Sequence, residues 1–170
     1  MSSVDPPRLL ISTSTIIIAV LAPQGQAEAA RNILKMSENR LAIVTVGNEA
    51  LRHAELAARK RLNDEQKIKD FVATVGEHIV RCRVGIAPTP NQTTIEACAD
   101  FTENISAARI IATAIEQGSE VIVSADQVNL LKNPKIGPPN TDFVVMNEHE
   151  AFGWALDQAK VRSRLRASGG

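Results

Sequence analysis

Residues 8–22 run Arg8-Leu9-Leu10-Ile11-Ser12-Thr13-Ser14-Thr15-Ile16-Ile17-Ile18-Ala19-Val20-Leu21-Ala22, and the fold class turns on them. The β-branched content favours a strand. Two readings remain open: one continuous strand, or a β-hairpin with the Ser/Thr cluster as its turn. Pro23-Gln24-Gly25 ends the stretch. The apolar run 16–22 is far shorter than the roughly 18 residues of a membrane span. Its N-terminal flank carries Asp5 and two prolines, Pro6 and Pro7, unlike a secretory leader.

Outward from this stretch, strands and helices alternate. Residues 26–36 carry Ala29, Ala30, Ile33 and Leu34 at helical spacing. Residues 41–46 form an apolar strand stopped by Gly47. Residues 49–80 are one long helix or two, with Asn63 as the N-cap between them and Gln66 three residues on. The run Arg59-Lys60-Arg61 reads as a solvated helix face. Residues 83–87 form a third strand, residues 102–117 a helix stopped by Gly118, and residues 120–124 a fourth strand. A short helix over 126–131 follows, with Ser124 as N-cap, and then a proline-rich loop over 133–140. Residues 143–146 and 152–156 read as strands, and Glu148-His149-Glu150 between them as a surface hairpin turn. The chain reads as a single domain over residues 1–160, with a basic, frayed tail over 161–170.

Composition narrows the function classes. Nineteen basic and 19 acidic residues balance in a chain of 170, so no net field draws it to nucleic acid or to an anionic membrane. With 44% hydrophobic and 22% charged residues it is no disordered chain. Aromatics make up 3%, too few for a base-stacking platform, so the core is aliphatic. Cys82 and Cys98 make no disulfide scaffold; they read as buried thiols in a reduced, cytoplasmic setting. The nine glycines form no phosphate-cradling loop. His53, His78 and His149 lie far apart, which argues against a metal centre.

One family resemblance spans roughly residues 80–156. Arg81-Cys82-Arg83-Val84-Gly85-Ile86-Ala87-Pro88-Thr89-Pro90 resembles a strand of class III adenylate/guanylate cyclase domains. Glu103-Asn104-Ile105-Ser106-Ala107-Ala108-Arg109-Ile110 resembles that family's helix ending in Ala-Ala-Arg. Gly118-Ser119-Glu120-Val121-Ile122-Val123-Ser124 is similar to the strand that follows it. Phe143 and Asn147-Glu148-His149-Glu150-Ala151-Phe152-Gly153 are similar to the family's ending. The resemblance implies an α+β fold: a mixed, largely antiparallel sheet with helices packed on it, ferredoxin-like and nucleotide-cyclase-like.

It also implies a degenerate site. Family members hold two metal ions on two aspartates, and the metals clamp the attacking and leaving oxygens of phosphoryl transfer. Here Thr15 stands where the hairpin aspartate belongs, Ser14 stands for its preceding glycine, and Ile11 stands for the base-reading lysine. A hydroxyl or an alkyl group does not replace a carboxylate toward a hard cation. Arg109 aligns with the phosphate-holding arginine, and Asn104 falls one residue from the asparagine position. Arg109 and Asn104 are therefore the candidate ligand-binding residues, with no catalytic and no metal-ligating residue assigned.

The expected function is a non-catalytic cyclase-like regulatory, dimerisation or nucleotide-sensing module, a cytoplasmic signalling pseudoenzyme. It would pair as a homodimer or with another cyclase-like domain, with a nucleotide as possible ligand, no nucleic acid, no membrane and no cofactor. Two alternatives stand beside it. One is an active cyclase with magnesium or manganese, using other carboxylates such as Asp100 or Asp126. The other is an unrelated small-ligand-binding α/β domain, which a sheet order unlike the cyclase fold would favour.

Overall fold

The computed structural model describes residues 4–22, 25 and 27–169. Only four residues of the opening stretch are strand, β1 (Arg8–Ile11). Ser12 is extended, and the chain then turns into α1 (Thr13–Leu21). Next come α2 (Glu28–Glu38), β2 (Ile43–Gly47), α3 (Ala50–Arg61), α4 (Glu65–Arg81) and β3 (Gly85–Ala87). After them follow α5 (Gln92–Ala97), a 3-10 turn (Cys98–Asp100), α6 (Ile105–Gln117) and β4 (Val121–Val123). A π-helical turn (Gln127–Leu131), β5 (Val144–Met146) and α7 (Glu148–Gly169) complete the order.

Every strand pairing is parallel, in the order β3-β2-β1-β4-β5. The register puts Leu9 beside Val44 and Val121, and Leu10 beside Thr45 and Ile122. Alternate residues therefore face opposite layers. One face, with Leu9, Ile11, Val44, Val46, Val121 and Val123, packs against α1, α2, α3, α4 and α7. The other face, with Leu10 and Ile122, packs against Ile95 of α5, Ile111 of α6, Leu130 and Phe143. Burial on both faces explains why the strands are apolar throughout rather than alternating.

This topology corrects the expected fold. The sheet is not mixed or largely antiparallel, and the architecture is neither ferredoxin-like nor cyclase-like; it is an α/β sheet with a helical layer on each face. Parallel neighbours cannot be joined by a tight turn, so each connection must cross the sheet. Residues 13–21 are that crossing's first helix, which rules out the strand or hairpin reading. Their β-branched content is overridden by packing: Ile16 and Ala19 are buried against the first face of the sheet.

The same correction applies at the other end of the chain. Residues 152–156, expected as a strand, lie inside α7. Ala151, Ala155 and Ala159 repeat every four residues along one side of it, all buried, and α7 packs on α2. Glu148, His149 and Glu150 form its first turn instead of a hairpin, and the Asn147 side chain accepts a hydrogen bond from the Glu150 amide at 2.8 Å.

The stretch expected to fray from 161 onward continues the helix to Gly169. Arg162 is buried within it and donates to both carboxylate oxygens of Glu120 at 2.9 and 3.0 Å. Between α3 and α4 the cap is Asp64, whose carboxylate accepts from the Gln66 and Lys67 amides; Asn63 precedes it. Gly118 ends α6 in the left-handed region at φ 64°, where a side chain would be strained.

Candidate functional site

Open parallel sheets place ligands beyond the carboxyl ends of their strands, where the connections diverge. Here that point lies between β1 and β4. After Ile11 the chain enters α1 on the first face; after Val123 it enters the π-helical turn on the second. The β1 lip is Ser12-Thr13-Ser14-Thr15. The Ser12 hydroxyl lies 2.7 Å from that of Ser14 and 3.2 Å from that of the fully buried Thr15.

On the β4 lip, the Ser124 hydroxyl accepts from the Asp126 amide at 3.0 Å. The Asp126 carboxylate accepts from the Asn129 amide at 3.1 Å and from its side chain at 3.2 Å. These hydroxyls and the carboxylate satisfy one another and the local backbone. Among the described residues no three His, Cys, Asp or Glu side chains converge where they could hold a metal ion.

The sequence-predicted residues do not assemble here. Ile11, at the supposed base-reading position, is a core residue. Thr15 sits on α1 against the first face, whereas Arg109 is exposed on α6 against the second, so the sheet separates them. Asn104 is the N-cap of α6, its side-chain oxygen accepting from the Ala107 amide at 2.9 Å. Asp100 is exposed in the 3-10 turn. His53 pairs with Glu49 at 3.4 Å, and a His78 ring nitrogen lies 2.9 Å from the Thr74 carbonyl. Cys82 and Cys98 are free and buried, and burial pushes the Cys98 thiol up.

A different feature stands out on the first face. α1, α3 and α4 enclose an apolar groove of about 420 Å³. Ile17, Val20 and Leu21 come from α1, Ala57 and Ala58 from α3, and Phe71 from α4. Leu62, between α3 and α4, also lines it, and the exposed Arg61, Lys67 and Asp70 stand at its rim. The groove exists because α1 is apolar on every side while only one side can face the sheet. Ile17 and Val20 are left half-buried, and Leu21 is 52% exposed. Opposite them, α3 presents small alanines.

A second, shallower depression on the far side of α3 is lined by His53, Leu56, Ala57, Lys60 and Arg61. The groove is not legible from a sequence whose residues 16–22 favour a strand. Its signal was present nonetheless: a helix apolar all round must be covered on all sides.

No helix among the described residues is long and apolar enough to cross a membrane. No family model matches the chain, and no curated protein matches it. Among solved structures it is similar to the crystal structure of Mycobacterium tuberculosis VapC20, described as a sarcin-ricin loop cleaving toxin. The TM-score is 0.49 at 10% identity, over 71% of this chain and 91% of that one. The all-parallel sheet and its strand order overturn the cyclase resemblance and the function drawn from it. Neither the pseudo-cyclase module nor the active cyclase stands, and the signalling role falls with them. A likeness of this degree assigns no activity to this chain.

Proposed function

We propose that this domain is a protein-recognition module that takes an apolar segment of a partner protein into the groove between α1, α3 and α4. The observation that carries this reading is the incomplete coverage of α1. Ile17 and Val20 pack only partly against the first core, and with the 52% exposed Leu21 they line an open groove. Contiguous apolar surface of this kind, rimmed by charge, is what partner-binding sites present. The switch between β1 and β4 supports the same choice by default. Among the described residues of its two lips, the Asp126 carboxylate accepts from Asn129, the Ser12 and Ser14 hydroxyls bond to each other, and the Ser124 hydroxyl accepts from the Asp126 amide. Buried thiols at Cys82 and Cys98 fit a reducing, cytoplasmic setting.

A neutral amphipathic helical peptide, apolar on one face and glutamine elsewhere, tests this by amide chemical-shift mapping. The expected shifts cluster at Val20, Leu21, Ala57 and Leu62, and disappear in Leu21→Asp, a substitution at an exposed position. Shifts confined to residues 12–15 and 124–129, or no shifts, would sink the proposal.

A further inference from the structure

We infer that the partner segment is an acidic amphipathic helix, an inference that rests on the groove reading above. Two observations carry it, continuity and charge. Ala57 and Arg61 line both the groove and the shallower depression across α3, so the two form one surface over the low alanine ridge of that helix. Leu56 lies at one end, 48% exposed, and Leu21 at the other, 52% exposed. Among the described residues the walls are helices with no strand edge between them, so an extended segment would find no backbone ladder there to join. A helix with anchors at i, i+3/i+4 and i+7 suits such a trough.

The rim selects the charge. Arg59 is engaged by Glu55 and Glu65, each at 2.8 Å, and His53 faces Glu49. Lys60, Arg61 and Lys67 make no ion pair among the described residues. Among the described residues the one acid on the groove lining, Asp70, accepts from the Gln66 side chain at 2.9 Å. Arg61 and Lys67 on the groove and Lys60 on the adjoining depression, on a chain with zero net charge, complement acidic residues flanking an apolar stripe. The exposed end of α7 carries Lys160, Arg164 and Arg166, so that helix end of a second copy has the wrong charge for this rim. A flat bilayer would meet the rim but not the floor, where Phe71 is 7% exposed.

Three labelled peptides of about 14 residues, long enough for four turns, share one apolar face and carry glutamate, glutamine or lysine elsewhere. Fluorescence anisotropy with the full chain is expected to rank them glutamate, glutamine, lysine. The extremes should differ by about tenfold or more at low salt, and the gap should narrow as salt rises. The triple variant Lys60→Glu, Arg61→Glu, Lys67→Glu, at exposed positions, should invert the ranking; Lys67→Gln should narrow it. Equal binding of the three peptides, a ranking unmoved by the triple variant, or tighter binding to phosphatidylserine vesicles than to any peptide overturns the inference. Binding of none of the three overturns the groove reading itself.

Discussion

Replacing Glu120 or Arg162 by alanine cuts the tie between the chain's two ends and its sheet, and the two replacements should differ in cost. The Arg162 side chain is 8% exposed and the Glu120 side chain 31%. Arg162 donates two charge-assisted bonds to Glu120, a third to the Asp5 carbonyl at 3.2 Å and a fourth to Gln158 at 3.2 Å. Glu120 also accepts from the Arg8 amide at 3.0 Å. Removing one partner of a buried pair costs about 3–5 kcal/mol, chiefly because the other charge is left buried.

Glu120→Ala strands the more deeply buried member, so about 3–4 kcal/mol is expected. Arg162→Ala leaves a carboxylate that water reaches and that keeps the Arg8 amide, so about 2–3 kcal/mol is expected. For a domain of this size the larger loss lowers Tm by about 6–16 °C. Urea unfolding with an unchanged m-value gives the ordering directly. Arg162→Lys should recover only part of the loss, because an ammonium cannot reproduce the two-pronged contact. An Arg162→Ala variant less stable than Glu120→Ala, or either loss below about 1 kcal/mol, would refute this reasoning.

Three further outcomes are expected. Arg40 and Arg83 sit in the left-handed region at φ 60° and 57°, just past the ends of α2 and α4. Arg40→Gly and Arg83→Gly should each raise stability by about 0.5–1 kcal/mol, and a loss in denaturant midpoint for both would contradict the strain argument. Cys98 is fully buried and its thiol is pushed up by that burial. Native protein should therefore resist iodoacetamide at this residue at neutral pH and react fully in denaturant; rapid native labelling would count against the buried placement. Arg59, through its hydrogen bond, holds the Glu65 carboxyl below its ordinary value. Because the folded value is the lower one, the pair's contribution is complete above the unfolded value and is lost as pH falls through the folded one. Arg59→Ala should move the Glu65 carboxyl titration upward by NMR, and an unmoved titration would contradict it.

Much of the local structure was legible in the residues, because its causes are local. The Ala/Ile/Leu spacing of α2 and α6 produces helices wherever they dock, and Gly118 stops α6 through its own backbone freedom. The apolar runs at β2 and β4 are strands because they have few alternatives once buried. The candidate site was not legible. Matches at Gly85, Asn104 and Arg109 aligned single residues with another fold, but the sheet keeps Thr15 and Arg109 on opposite layers. Asn104 is accounted for by a helix cap, a role that any helix start could require.

The sequence alone determined that the chain is a charge-balanced domain with an aliphatic core and buried thiols. It also determined most element positions from 26 to 146, since composition and short-range periodicity depend on neighbours a few residues away. Tertiary structure alone decided the direction of the strands and the state of residues 13–21. A β-branched run satisfies a hairpin and a buried crossover helix equally well until its neighbours are in place. Once β1 lies parallel between β2 and β4, the chain must cross the sheet, and only a helix makes that crossing while satisfying its own backbone and burying Ile16. The apolar sides of that helix that the sheet cannot cover become the groove.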